Sequence, residues 1–377
     1  MNSSFDHVKN WLLDSGIFLS NPGDENFGAV HSFYDEEKKS FSFLYPEITG
    51  YYASSMRFLH SHEKNNEFVK RAKTSCDWII KLFDSYGGII QGVFPDGKPH
   101  KLVYSFDTAI CAKGLFDCYI ISKEEKYLTY GKKLNSWLTE NTINSDYTLK
   151  PLFNLDSETF ETTRDVWYKQ FGCLHIKSIM SLLSQYTITK EQPLLDTALK
   201  IANNIDNFQN NDGSIRLHVD DKTINLHTLC YALEGLLFCY YVTQEQKFLN
   251  ICKNALEWCD RKIESDGSID LWFNSKYHSK SSYPIAQIIR LKILISKIDN
   301  SNIPSLSVLT DFLISLQSRN TNLSSKGGFY EEFFKSMFRW KKRLRVNSWG
   351  SMFALQALYW NDNSQNINFN DEIQLLF

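Results

Sequence analysis

Apolar residues recur at helical spacing in six stretches that open near Pro46, Ser105, Thr163, Asn225, Tyr283 and Arg345, roughly sixty residues apart. The spacing predicts first helices over Pro46–His62, Ser105–Ser122, Thr163–Tyr186, Asn225–Val242, Tyr283–Ile298 and Arg345–Trp360. Five of them are followed by a second helix: Glu67–Asp84, Glu124–Glu140, Gln192–Phe208, Gln244–Ile263 and Pro304–Gln317. The two kinds differ in pattern. First members are apolar or small on nearly every side, as in Ala109-Ile110-Cys111-Ala112. Second members carry a polar stripe, as in Lys247, Asn250, Lys253, Asn254 and Glu257. A helix apolar all round is buried, and one with a polar stripe faces water. An inner and an outer ring follow.

The expected fold is all-α: an (α/α)6 toroid of six helical hairpins, with the recurring Gly turns and short β-like runs, such as Ile89–Phe94, gathered on one side. The sixth first helix has no long helix after it. A short amphipathic helix over residues 5–13 could take the vacant outer position and close the ring. Asn21–Tyr45 reads as a connection with a hairpin around Asp35–Lys39. At 377 residues the chain is long enough for two or three average domains, but the repeat, running from about 46 to 360, argues for one domain over 1–377.

Closing the ring changes the meaning of the polar residues near the six starts: Glu47, Asp107, Trp167, His227, Gln287 and Asn347 would gather at one mouth. Two carboxylates facing one pocket can divide labour, one donating a proton to a leaving oxygen and the other activating water or removing a proton. Either acid alone could equally be a first-turn residue favoured by the helix dipole. A histidine can move protons in both directions near neutrality, so Glu47, Asp107 and His227 form the candidate catalytic set. His175, among Cys173, Leu174 and Ile176, reads as core. Tyr45, Tyr51, Trp167, Tyr168, Tyr283 and Trp349 could floor sugar subsites, although packing explains such rings as well. Gln287 and Asn347 could bind hydroxyls or orient a carboxylate.

Composition narrows the partners. The chain is 43% hydrophobic and 15% aromatic with a net charge of −2, so nothing draws it to nucleic acid as a whole. The strongest local charge is Arg339-Trp340-Lys341-Lys342-Arg343-Leu344-Arg345, read either as a solvated loop or as a clamp, through Arg343 and Arg345, for an anionic group on a substrate. Glu331 and Glu332 are near enough in sequence to neutralise it. No cofactor is expected. No metal is expected either, because no H-x-x-x-H or H-x-x-E pattern sets a second ligand beside His227. No D-x-D-D or D-D-x-x-D run supports a terpene-cyclase-like toroid. No apolar run long enough to span a membrane is present, no signal peptide is visible, and the eight cysteines contain no C-x-x-C pair. A cytoplasmic protein with buried, reduced thiols is expected.

The segment Tyr45-Pro46-Glu47-Ile48-Thr49-Gly50-Tyr51 resembles the Y-P-E-[TV]-T-G-Y motif of a polysaccharide-biosynthesis family with α/α-toroid folds. Phe106-Asp107-Thr108, the run His227–Leu236 and Asn347-Ser348-Trp349 look similar to that family at the same relative places, with Ser348 as a one-residue insertion or a local variation in an N-W segment. The resemblance extends from about Tyr45 to Tyr359. It implies membership of the wider six-hairpin group and a carbohydrate substrate. The reading is a carbohydrate-active enzyme that hydrolyses a glycosidic bond or cleaves it in lyase fashion. The alternatives are a sugar epimerase or isomerase, or a non-catalytic glycan-binding protein of a polysaccharide-assembly system. Fold likeness does not choose among these chemistries.

Overall fold

The computed structural model describes residues 3–163, 166–301, 303, 306–337 and 339–377. Among them the helices are α1 (Ser4–Asp14), α2 (Pro46–Glu63), α3 (Asn66–Tyr86), α4 (Ser105–Ser122), α5 (Glu125–Asn141), α6 (Ile179–Thr189), α7 (Gln192–Asn203), α8 (Leu226–Thr243), α9 (Gln246–Asp260), α10 (Ser282–Asp299), α11 (Leu306–Ser315) and α12 (Ser348–Asp362), with a final short turn of helix, α13 (Phe369–Glu372). Helices α2, α4, α6, α8, α10 and α12 form the inner ring. Each packs against the next, and α12 packs against α2, so the ring is closed. The fold is an (α/α)6 toroid.

Burial follows the two sequence patterns. Every residue of α4 from Ser105 to Cys118 is buried, whereas α3 buries only Phe68, Ala72, Ser75, Cys76, Trp78, Ile79 and Leu82, one face of its helix. Helix α1 fills the outer position beside α12. Its Trp11 indole donates to the Ser324 carbonyl (2.9 Å), Phe5 packs on Tyr359, and Gln317 donates to the Ser4 carbonyl (2.8 Å).

The hairpins share one reversal. Helices α2, α4, α6, α8 and α10 all end on a residue in the left-handed region: Lys64, Lys123, Lys190, Gln244 and Asn300. Such a cap satisfies a last-turn carbonyl and turns the chain sharply. In the first four hairpins the outer helix then starts two residues later. Where α2 and α4 meet, the contact is backbone on backbone. A Cβ on Gly114 would lie 2.7 Å from the Gly50 carbonyl oxygen, and one on Gly50 would lie 2.9 Å from that of Ile110. That close approach accounts for the glycine of the Tyr45–Tyr51 motif.

Short antiparallel strands lead straight into inner helices: Pro99–Tyr104 into α4, Ile224–Asn225 into α8, Ser279–Ser281 into α10 and Arg345–Asn347 into α12. They therefore lie together on the side where inner helices begin. The expected hairpin near Asp35 is present as Phe33–Asp35 paired with Ser40–Phe41.

Two expected helix starts are displaced. The third inner segment does not begin at Thr163. Thr159–Glu161 is a strand, Trp167–Lys169 is a single 3-10 turn, and the inner element starts as a 3-10 helix at Cys173–Ser178 before continuing into α6; Arg164 and Asp165 lie outside the described residues. The reason is local. Residues 166–171 leave no fully buried side chain, and Gly172 is extended (φ −147°), so a buried face begins only at Cys173. The sixth inner helix begins at Ser348 rather than Arg345. Arg345–Asn347 is a strand paired on both sides, and Asn347 caps the helix by accepting from the Gly350 N–H (2.7 Å). The basic run is correspondingly a strand, Arg339–Lys342, paired with Glu332–Ser336.

Candidate active site

The inner-helix starts enclose a cavity of about 380 Å3. Tyr45 sits at the N-cap of α2, and Glu47 follows in its first turn. Asp107 occupies the same place in α4. Both carboxyls line the cavity and are buried, with 8% and 3% of their surface exposed. A helix N-terminus favours the ionised form, but burial dominates. It raises the Glu47 pKa to about 7, against a lowering by the Tyr45 phenol and the Lys177 ammonium. Burial, with the neighbouring charge of Glu47, holds Asp107 well above the usual carboxylate range, and Tyr45 again pulls the other way. The two acids therefore share one field and one phenol. Asp107 Oδ2 is buried with no hydrogen-bond partner among the described residues. At neutral pH the arrangement can offer a protonated Asp107 and a Glu47 able to accept a proton.

His227, in the first turn of α8, lines the cavity from another side. Its Nδ1 lies 2.6 Å from Gln287 Oε1. An amide oxygen only accepts, so Nδ1 carries the hydrogen and Nε2 keeps its lone pair. The amide is itself oriented, because Gln287 Nε2 donates to Glu234 (3.1 Å). Glu234 is held by Lys177 (2.5 Å) and by Arg290. All three charged groups of this floor are buried: Glu234 and Arg290 at 0% exposed and Lys177 at 1%. Burial keeps His227 neutral and pushes its pKa to about 3; Gln287 raises it, and Lys177 and Arg290 lower it further. Burial likewise lowers Lys177 to about 8, against the attraction of Glu234. The Lys177 amine also lies over the rings of Tyr231 (4.4 Å) and Tyr51 (4.9 Å).

The cavity gathers Glu47, Asp107, His227, Tyr45, Trp167, Tyr168, Tyr283 and Trp349. Gln287 lies beneath it, orienting His227, and Tyr51 is buried in the floor. Neither Tyr51 nor Gln287 lines it, and three more expected site residues also do not. Arg343 pairs with Glu332 (2.8 Å), Arg345 faces Asp35 (3.7 Å), and Asn347 is the fully buried cap of α12. His175, expected in the core, is buried but does line the cavity, its Nδ1 accepting from the Gly172 N–H (3.1 Å). Burial pushes its pKa down to about 4.

Sequence reasoning missed several groups here. Glu331 lines the cavity, and burial together with Glu332 raises its pKa to about 7 against Arg343 and Arg345. The Lys177–Glu234–Arg290 cluster was missed too. Its signal was a charge set inside an apolar helix, Glu234 in Leu233-Glu234-Gly235-Leu236 and Arg290 in Ile289-Arg290-Leu291. Among the described residues no three His, Cys, Asp or Glu side chains converge as a metal site, and no helix is long and apolar enough to cross a membrane. All eight cysteines are buried and free.

Solved structures give a consistent comparison. Cellobiose 2-epimerase from Bacillus thermoamylovorans B4167 superposes with a TM-score of 0.75 at 12% identity, over 94% of this chain and 98% of that one. A D-mannose isomerase gives 0.76 at 12%, over 94% and 96%. The unsaturated glucuronyl hydrolase of Bacillus sp. GL1, responsible for degradation of glycosaminoglycan, gives 0.69 at 11%, over 95% and 97%. What they share with this chain is the toroid. No protein-family model matches the sequence, and no curated protein matches it either.

Proposed function

We propose that the protein is a carbohydrate-active enzyme that hydrolyses a glycosidic bond of a poly- or oligosaccharide. The observation that carries this reading is the pair of buried carboxyls, Glu47 and Asp107, at one cavity with proton affinities raised toward neutrality. Asp107 donates its proton to the glycosidic oxygen as the bond to the anomeric carbon breaks. Water attacks that carbon, and its proton passes to Glu47. Tyr45 stands beside both acids, and Trp167, Tyr168 and Trp349 offer faces for sugar rings. The resemblance of Tyr45–Tyr51 to a polysaccharide-biosynthesis motif favours a glycan substrate, and eight buried free thiols suit a reducing, cytoplasmic setting.

A second reading, epimerisation or isomerisation of a sugar, is favoured by His227. His227 lines the cavity and its Nδ1 bond to Gln287 leaves the Nε2 lone pair for use as a base, and two of the superposing structures are an epimerase and an isomerase. One assay separates the readings. Candidate oligosaccharides are incubated with the protein in deuterated water, and products are followed by NMR. New reducing ends that vanish with Glu47→Gln or Asp107→Asn support hydrolysis. Carbon-bound deuterium that vanishes with His227→Gln, without new ends, overturns hydrolysis in favour of epimerisation. Binding without either change overturns both in favour of a glycan-binding role.

A further inference from the structure

Beside the cavity runs a groove of about 640 Å3 that no part of the proposed reaction uses. Trp167 lines both. From the cavity outward the rings follow one another: Tyr104 to Tyr168 (6.0 Å between centroids), Tyr168 to Trp167 (5.5 Å), Trp167 to Trp272 (6.4 Å) and Trp272 to Tyr277 (6.2 Å). The rings are tilted to one another by 53° to 90°, so they adjoin edge-on or obliquely and are not stacked in parallel. Tyr277 is 60% exposed and Tyr168 40%. A path of partly exposed rings leading away from a cavity suits a polymer of sugars, since an exposed ring can cover the apolar face of one sugar.

The groove also has a sign. Arg343, within it, is neutralised by Glu332. Lys276 and Lys335 line it with no carboxylate partner among the described residues, Lys276 resting over the Tyr277 ring at 5.5 Å. Both lysines are exposed, so an anion lying along the rings could reach them.

We infer that this groove is an extended subsite, from Trp167 to Tyr277, for the distal sugars of an acidic oligosaccharide whose reacting end occupies the cavity. The inference rests on the glycan-processing reading and gives it a substrate class, a chain bearing uronate or sulfate groups with its anions against Lys276 and Lys335.

The test is calorimetric binding to the full chain carrying Asp107→Asn, so that no ligand is consumed. The probes are two-sugar and six-sugar fragments of hyaluronan, polygalacturonate and heparin, with cellohexaose and maltohexaose as neutral controls. At least one acidic hexasaccharide should bind about tenfold more tightly than its own disaccharide, the gain of one or two ring contacts. Trp272→Ala with Tyr277→Ala should erase that gain and leave disaccharide binding unchanged. Lys276→Ala with Lys335→Ala should reduce it more at low salt than at high salt. The inference is overturned if no acidic hexasaccharide outbinds its disaccharide, if the gain survives loss of both rings, or if neutral hexasaccharides gain as much and the lysine variants change nothing. Length-dependent binding by a protein that cleaves nothing would refute the hydrolase reading and leave the groove standing. Cleavage without length dependence would do the reverse.

Discussion

Asp107 and Asp117 lie on one helix and are equally buried, yet they behave in opposite ways. Asp107, in the first turn of α4, is 3% exposed and its pKa is driven up by burial and by Glu47. Asp117, near the end of the same helix, is 2% exposed and sits below the ordinary carboxylate range. Burial works to raise it too, but Lys113 (2.7 Å) and Arg57 (2.5 Å) overcome that. The helix dipole would order the two acids the other way, favouring the anion at the N-terminus. Close cations therefore outweigh both dipole and desolvation, and the acid left without one keeps its proton. The Asp117 end of α4 is ion-paired, and the Asp107 end is not. A buried carboxyl with no cation has little structural reason to be there, which makes the mouth the place to look for chemistry.

The largest expected effects cross over between the two acids. Asp107→Asn should cut turnover by about 10^2 to 10^4, the usual contribution of a general acid, while stability at neutral pH stays within about 1 kcal/mol or rises. Asp117→Asn should cost about 3 to 5 kcal/mol of stability by leaving Lys113 and Arg57 buried without their anion, and whatever protein folds should retain most activity per molecule. Denaturant titration and initial rates on both variants check this. Equal losses of stability would break the contrast between mouth and floor.

Acidity sharpens it. Glu47 has a folded pKa of about 7 against an ordinary 4.5. A raised carboxyl contributes stability that is fully present below its unfolded pKa and lost as pH rises through the folded one. Stability should therefore fall by up to about 3 kcal/mol between pH 4.5 and 7 from this group, and Asp107 acts in the same direction. Asp117, with a depressed pKa, contributes stability present above its unfolded value and lost as pH falls through the folded one. Glu47→Gln should flatten the neutral-side decline and leave the acid-side loss unchanged. A wild-type stability curve with no decline over that interval would remove the basis for a protonated mouth.

The mouth was more legible in the sequence than the floor, for a geometric reason. Residues that open repeats share a position in every hairpin, so the period alone brings Glu47, Asp107 and His227 to one place. Arg57, Asp117, Lys177, Glu234 and Arg290 do recur near the repeat spacing, with pair separations of 56 to 60 residues for Arg290–Glu234, Lys177–Glu234 and Arg57–Asp117, but they lie within the apolar runs of the inner segments rather than at their starts. Glu331 lies in a connection between two strands, which carries no period to place it at the cavity. The third inner helix was misplaced because aromatic residues around Trp167 imitate a helical face, although they line the cavity and the groove instead.

A smaller effect tests what holds the two acids of the mouth together. Gly114 lies between Asp107 and Asp117 on α4, where a Cβ would press on the Gly50 backbone of α2. Gly114→Ala gains intrinsic helix propensity, but overpacking of a backbone contact should leave a net loss of about 1 to 3 kcal/mol. Because α2 carries Glu47 and α4 carries Asp107, forcing the helices apart should lower activity along with stability. A stabilised, fully active Gly114→Ala would mean that the close crossing does not position the carboxyls.

The smallest effect comes from the end of the same helix. Lys123 caps α4 in the left-handed region (φ 60°), its N–H donating to the Tyr119 carbonyl at 2.8 Å. A side chain there costs about 1 to 2 kcal/mol relative to glycine. Glycine gives back part of that through its freer unfolded chain. Lys123→Gly should therefore stabilise the protein by about 0.5 to 1 kcal/mol, seen as a higher denaturation midpoint with an unchanged slope. The substitution is one residue beyond α4 and far along the helix from Asp107, so the pH dependence of activity should stay where it is. If the activity profile moves with Lys123→Gly, the mouth is sensitive to how the helix ends, and the separation between a chemically active start and a structural end of α4 fails.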